Sequence, residues 1–265
     1  MITVSIDPII LSIGHFMIRW YSVILVLAIG VGVWLAWREA KRKGLNETAF
    51  GDAVIWAIIG GLIGARLFHV LDHWSDEYIA APIRVLYVWE GGLAIWGAVL
   101  GGLAALALFT WRRGLSFPQL VDAVVPGAIL GQAIGRIACI ITGDAMGKPT
   151  TGPFGFAYTN PNVMVPQLGA YYTPTPVYEI AMNLAIFAVI WRLRSRALPD
   201  GVLFLIYLLL YSAGRFLVTF SSAYQITAFG LNQAQIVSLA TFLAGLPLLI
   251  HLLRRNQALP SVVKR

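Results

Sequence analysis

Apolar runs of about 18 to 22 residues, the length that crosses a bilayer as a helix, recur along this chain. They lie at roughly 20–37, 53–71, 93–111, 120–141, 177–191, 201–220 and 236–253. Between them the sequence turns polar for short stretches, so the pattern predicts seven membrane-spanning helices. An odd number of spans places the two termini on opposite sides.

The polar stretches set the orientation. Arg38, Lys41, Arg42 and Lys43 follow the first run, Arg112 and Arg113 the third, Arg192, Arg194 and Arg196 the fifth, and Arg254, Arg255, Lys264 and Arg265 the seventh. These are 13 of the 19 basic residues, all on one side. The other side holds Arg19, Arg84 and Lys148, and Arg66, Arg136 and Arg215 fall inside spans. Basic residues concentrate in cytoplasmic loops, so the N-terminus is expected outward and the C-terminus cytoplasmic. The long connections 72–92, 142–176 and 221–235 then face outward. The second is dense in Gly, Pro, Asn and Thr, which predicts a turn-rich, non-helical extracytoplasmic cap.

Composition agrees with this picture. Of 265 residues 58% are hydrophobic and 12% charged, with a mean hydropathy of +0.77, more apolar surface than folding alone can hide from water. The expected fold class is an all-α integral membrane protein, one polytopic domain over 1–265. The net charge of +7 is mostly the topology signal just described, which makes nucleic acid a poor partner. The single cysteine, Cys139, excludes an internal disulfide and reads as a small buried apolar residue. No basic residue precedes Arg19 and no small-residue cleavage site follows, so the first span is expected to remain in the mature protein.

The candidate chemistry lies in the three span arginines. An arginine in an apolar span is costly unless it snorkels, pairs or binds something. Arg66, Arg136 and Arg215 occupy alternate spans at a similar depth, about five residues or roughly 7.5 Å from the outer ends. Glycines stand near each of them: Gly60, Gly61 and Gly64; Gly131 and Gly135; and Gly214. Small residues permit close helix approach, which would gather the arginines, and three cations together call for an anion. Guanidinium suits phosphate, since its planar donors meet two oxygens and stay charged. The expected ligand is a phospholipid headgroup.

Several motifs carry a family resemblance. Asp122, Pro126, Leu130, Gly131, Gly135, Arg136, Gly143, Asp144 and Gly147 follow in order. Ahead of them stand Arg19-Trp20-Tyr21, Gly64-Ala65-Arg66 and Trp89 with Gly91, Gly92 and Leu93; after them come Tyr178-Glu179, Tyr211 with Arg215 and Phe216, and Gly230, Leu231, Gln235 and Ile236. Taken together these resemble the bacterial prolipoprotein diacylglyceryl transferases over nearly the whole chain. The resemblance implies transfer of the diacylglyceryl unit of phosphatidylglycerol to the lipobox cysteine of a secreted preprotein. A thioether forms and glycerol phosphate leaves, at the bacterial cytoplasmic (inner) membrane, with no metal or organic cofactor.

Carried over by position, Arg136 and Arg215 would hold the phosphate and stabilise its growing charge. Arg66 would support the same field, and Tyr21, Asp144, Gly92 and Gly147 would line the bound substrate. Tyr211, one turn below Arg215, either positions the glycerol and supports the arginine or packs in the interior. Asp144 either pairs with an arginine or headgroup hydroxyl, or is an ordinary turn residue.

The chain departs from the family pattern at defined positions. Trp96 stands at a His or Tyr position, and indole accepts no proton. Cys139 and Thr142 stand at Asn positions, Thr173 and Pro176 replace a His and a Gln, and Thr219 and Ser222 replace a Glu and an Arg. His69 and His73, near Arg66, stand where the family has aromatic residues, and His69 is the candidate proton acceptor. Glu90 is a second candidate, and a thiol already slightly ionised at neutral pH needs no strong base. His69, Asp72 and His73 also have a metal-ligand spacing, although interfacial anchoring explains it as well. Two other classes stay open: an anionic-phospholipid-binding relative without catalysis, and a small-molecule transporter, against which stands the lack of an inverted repeat.

Overall fold

The computed structural model describes every residue except 15, 75–77, 80, 88–90 and 258–265. Trp89, Glu90, Lys264 and Arg265 lie outside the described residues. Seven helices dominate: α1 (Trp20–Arg42), α2 (Glu47–Asp72), α3 (Ile95–Arg113), α4 (Phe117–Thr142), α5 (Thr175–Leu193), α6 (Val202–Val218) and α7 (Gln233–Gln257). All seven are long and apolar enough to cross a membrane, and each overlies one of the seven predicted runs. Their outer surfaces confirm the solvent they are built for. Val26, Ile58, Ile63, Ile95 and Leu243 are all more than half exposed, which suits lipid and would be costly in water.

Local chemistry sets the helix limits. Asn46 caps α2 by accepting from the Ala49 amide at 2.9 Å, with Glu47 in the first turn, where a negative charge meets the positive end of the helix. α3 stops at Gly114, whose φ of 64° lets the Leu115 amide return to the Thr110 carbonyl at 2.9 Å. α7 opens with a reciprocal capping box: Asn232 Oδ1 accepts from the Gln235 amide at 2.9 Å and Gln235 Oε1 accepts from the Asn232 amide at 3.1 Å. Gln235 therefore has a structural reason to recur in the Gly-Leu…Gln-Ile pattern.

The chain forms two compact units, Met1–Glu39 with Val121–Arg265, and Ala40–Leu120. The smaller one is the hairpin of α2 and α3, joined by a connection that includes a 3-10 turn at Pro82–Leu86. Its two helices cross on glycine. A Cβ at Gly64 would overlap the Gly97 carbonyl, and one at Gly101 the Gly60 carbonyl, so the backbones touch as the small-residue pattern anticipated.

The larger unit holds α1, α4, α5, α6 and α7. α1 and α4 meet through Gly32 and Gly127 in the same way. Val125 and Ile129 of α4, Ile186 and Ile190 of α5 and Leu203 of α6 form a core against which Met182, Tyr207 and Tyr211 pack. Asp122, 1% exposed, reaches across to the start of α6, where its carboxylate accepts from the Gly201 amide at 2.9 Å and the Phe204 amide at 2.8 Å. The helix begins at a glycine with no side chain to cap it, so the cap comes from α4. At the same end Glu39 and Arg194 form a buried ion pair, with the guanidinium stacked 3.4 Å over the Trp191 ring.

The opposite end of this unit carries a small sheet built by the N-terminal segment and the 142–176 connection. β1 (Ile2–Val4) runs parallel to β4 (Phe156–Tyr158), which pairs antiparallel with β5 (Tyr171–Tyr172). β2 (Ile9–Ile13) and β3 (Phe16–Arg19) form a hairpin leading into α1, and β6 (Ile226–Ala228) and β7 (Leu231–Asn232) form another between α6 and α7. Met146, Tyr158 and Tyr172 make a second core beneath the sheet. Tyr158, fully buried, donates to the Ile140 carbonyl at 2.7 Å, and burial pushes its phenol pKa well up. Asn162 donates to both oxygens of Asp7 at 3.2 and 3.3 Å. The Ile9 amide, followed by Asn162, holds the Asp7 carboxyl below its ordinary value. These contacts fix the N-terminal segment and the 142–176 connection to one another.

Candidate functional site

Three helix ends in the larger unit converge on one carboxylate. Glu179, 2% exposed, lies near the N-terminus of α5; Arg136 lies in the last two turns of α4 and Arg215 in the last turn of α6. Arg136 Nε pairs with Glu179 Oε2 and Arg215 Nη1 with Oε1. Each charge also sits where its helix favours it, the cations toward negative C-terminal ends and the carboxylate toward a positive N-terminal end. Two guanidiniums on one carboxylate leave a net positive charge in surroundings of low dielectric. Further anion binding there gains far more than in water.

Around this triad the side chains are polar and aromatic. Arg215 Nη2 donates to the Tyr224 hydroxyl at 3.1 Å, with the guanidinium 5.7 Å from that ring's centroid. Arg136 Nη1 lies 3.7 Å from Cys139 Sγ. The Tyr211 ring meets that of Tyr207 at a tilt, centroids 5.9 Å apart, and Tyr207 accepts from Gln132 Nε2 at 2.7 Å; the Tyr211 hydroxyl lies in the field of Arg136. Tyr21, in the first turn of α1, lies in the field of Arg136 and Asp144. Arg136, Arg215, Tyr211, Tyr21 and Asp144, named from sequence, thus gather in one region. Tyr211 packs on the core, and its hydroxyl also faces Arg136.

The turn beyond α4 is shaped by close approach. Asp144 sits between Gly143, at φ 72°, and Ala145, at φ 58°, and its amide donates to Thr142 Oγ1 at 3.4 Å. A Cβ at Gly147 would overlap the Ser221 carbonyl and the Thr175 hydroxyl, while the Gly147 amide donates to the Thr173 carbonyl at 2.8 Å. Gly147 thus ties the 142–176 connection to the start of α5 and the residues after α6, the two segments that present Glu179 and Arg215. Thr173, at a His position of the family pattern, donates its hydroxyl to Lys148 in this same knot.

The remaining residues named from sequence belong to the α2–α3 unit. Arg66, 8% exposed, has all three guanidinium nitrogens on main-chain carbonyls. Nε donates to Val85 at 2.9 Å, Nη1 to Gly91 at 2.9 Å and Gly92 at 3.2 Å, and Nη2 to Arg84. It clasps the connection between α2 and α3. Gly92 is required there, because at φ 70° a Cβ would lie 2.6 Å from His69 Nε2 and 2.7 Å from Arg66 Nη1. His69 stacks on His73 with centroids 4.2 Å apart and meets Tyr78 edge-on at 6.3 Å. Asp72 Oδ2 approaches His73 Nδ1 at 3.6 Å. Among the described residues no three such side chains gather as a metal site. Trp96, in the first turn of α3, is 44% exposed.

Sequence reading alone passed over two members of the site. Glu179 entered only as a letter of a motif, although it is the one acidic residue in its span and three span arginines called for an anion. Tyr224 lies in the connection between α6 and α7 with no periodic signal, and only the return of the chain from α6 brings it to Arg215.

The sequence profile of the family "Prolipoprotein diacylglyceryl transferase" matches residues 8–251. The chain is 37% identical to the phosphatidylglycerol–prolipoprotein diacylglyceryl transferase of Trichormus variabilis, covering 98% of this chain and 94% of that protein. With the proteins of the same name from Halalkalibacterium halodurans and Shouchella clausii it shares 39% identity over 80% of this chain and 74% of that one, and 34% over 93% and 90%. The residues that converge on Glu179 therefore sit in a sequence related to these proteins almost end to end, and the chain belongs to the prolipoprotein diacylglyceryl transferase family.

Proposed function

We propose that this protein transfers the diacylglyceryl group of phosphatidylglycerol to the lipobox cysteine of a prolipoprotein, in the bacterial inner membrane. The observation that carries this reading is the pair of guanidiniums, Arg136 and Arg215, converging on the single carboxylate of Glu179. The preprotein thiolate attacks the glycerol carbon that bears the phosphate ester. A C–S bond forms, the C–O bond breaks, and its electron pair leaves with glycerol phosphate. The diester carries one negative charge and the departing monoester gains a second, so the demand for positive charge rises along the reaction. Fixed guanidiniums answer that demand more strongly in the transition state than in the ground state. Tyr211 and Tyr21 border the same charge and position the glycerol, and Asp144 accepts from a headgroup hydroxyl. Arg66 contributes by clasping the α2–α3 connection, which shapes the surroundings of His69, the candidate acceptor of the thiol proton.

The asymmetry of the basic loops supports an outward N-terminus, and the sheet of β1 and β4 goes with it, since it lies at the N-terminal end of the unit. Substrate lipid then enters from the outer leaflet, and nucleic acid plays no part.

The test is thioether formation from phosphatidylglycerol and a lipobox peptide by the purified protein. Wild type makes product, and Arg136→Ala and Arg215→Ala each lose about 10²–10³ in kcat, the scale of removing one preorganised donor. His69→Gln reads the proton role: a fall in kcat with phosphatidylglycerol binding kept assigns His69 the proton, and an unchanged kcat removes it from that role. A folded wild type that binds phosphatidylglycerol without making product refutes the transferase reading.

A further inference from the structure

The hairpin of β6 and β7 ends in a feature that the transfer reaction does not explain. Its loop is the two-residue pair Phe229-Gly230, between Ala228 and Leu231, which face each other in the ladder. Both loop residues have positive φ, 53° and 74°. Tight hairpins of this kind favour Gly at the first position, which has no Cβ to clash, or Asn and Asp, whose short polar side chains bond locally to the backbone; other side chains are strained there. A phenylalanine occupies it, 99% exposed. Within the protein that ring gains no contact to offset the strain.

The neighbourhood has the same character. Phe220 is 55% exposed, Tyr224 44% and Ile226 72%. No Asp, Glu, Lys or Arg occurs between Arg215 and Arg254. The hairpin is also tethered at both ends, since the span that includes α6 closes at Ser221 and α7 opens at Gln233. Eleven residues cannot carry it far from the bilayer surface, where aromatic and apolar side chains are favoured and a water-facing loop would be polar.

We infer that the 222–232 hairpin is seated in the outer lipid leaflet, with Phe229 as its anchor and Tyr224 as its link to Arg215. The occupant is the bilayer itself. Tyr224 accepts a hydrogen bond from Arg215 at 3.1 Å, so lipid packing around the hairpin bears on one of the two guanidiniums of the site. That second step rests on the proposed transferase reading; the seating of Phe229 does not.

Two measurements separate them. In Phe229→Cys, labelled with an environment-sensitive fluorophore in phosphatidylglycerol-containing vesicles, a quencher attached to lipid chains darkens the probe and aqueous iodide does not. The parent protein, whose Cys139 is 4% exposed, serves as the labelling control. In Phe229→Asn, a residue better suited to the turn, thermal stability in detergent stays level or rises. The apparent KM for phosphatidylglycerol in vesicles rises several-fold at little change in kcat. Iodide quenching in vesicles overturns the lipid seat. Protection from iodide only when a lipobox peptide is added also overturns it, and makes the hairpin a preprotein contact. A lipid-quenched probe with unchanged KM in Phe229→Asn keeps the anchor and removes its link to the site. If wild type shows no transfer at all, the quenching result still stands on its own.

Discussion

Glu179 decides how the site behaves before any lipid arrives. A buried carboxylate shared by two guanidiniums is costly to desolvate, and its removal leaves cations with no counter-charge. Glu179→Gln is therefore expected to lose about 3–5 kcal/mol of stability in lipid-free detergent, read as a fall in the thermal midpoint. Phosphatidylglycerol should restore much of that loss, because the headgroup phosphate supplies the missing anion. A variant whose midpoint falls without recovery on lipid addition would show that the arginines do not take phosphate. Arg136 and Arg215 were legible in the sequence because a cation in an apolar run is conspicuous. Glu179 was less so, since a single acid near the start of a span also suits an interfacial position. Arg66 looked equivalent to the other two by spacing, and its partners proved to be four carbonyls of a connection. No periodicity encodes that choice, because carbonyls are present at every residue.

At the scale of elements, seven spanning helices were predicted and seven are present among the described residues, with limits that differ by a few residues. The differences have local causes: α1 runs past its apolar stretch to Arg42 because the charged residues at its C-terminal end are good helix formers. The glycines near Arg66 act as expected, and Gly64→Leu should drive α2 from α3. Its Cβ meets backbone that cannot yield, so expression or the thermal midpoint should collapse. Gly214 meets the flexible end of Met182 instead, and Gly135 has nothing within 4 Å, so alanine at Gly135 is tolerated sterically. The cap of α6 was invisible from the sequence near it. Asp122→Ala should cost about 1–2 kcal/mol, with amide exchange rising at Phe204, because the Gly201 and Phe204 amides lose their carboxylate acceptor. An Asp122 variant with native exchange at that helix start would remove the cap from the account.

For the whole molecule, the asymmetry of basic residues sets the expected orientation, and the chain's own folding is compatible with it. Single cysteines at Lys43 and Lys148 test it in intact cells or sealed vesicles: a membrane-impermeant maleimide should label the second from outside and the first only after permeabilisation. The reverse pattern would invert the topology and place Glu179 at the cytoplasmic face. The connection 142–176 shows how far composition reaches. Its turn residues foretold an absence of helix, and the structure adds the paired strands β4 and β5 with β1 alongside. Strands of two or three residues carry no readable alternation, and a parallel partner 154 residues away leaves no local mark.

The sequence by itself determined the class, the number of spans and the positions of the cations inside them. Each of these follows from what an isolated segment does in a bilayer: apolar runs enter it as helices, and buried charge is conspicuous there. Tertiary structure decided which acid neutralises which arginine, that Arg66 clasps a connection, that α6 borrows its cap from α4, and that Tyr224 returns to Arg215. Those are choices among many residues of equal local fitness. They are settled only when helix packing brings particular side chains within hydrogen-bonding distance and excludes the rest.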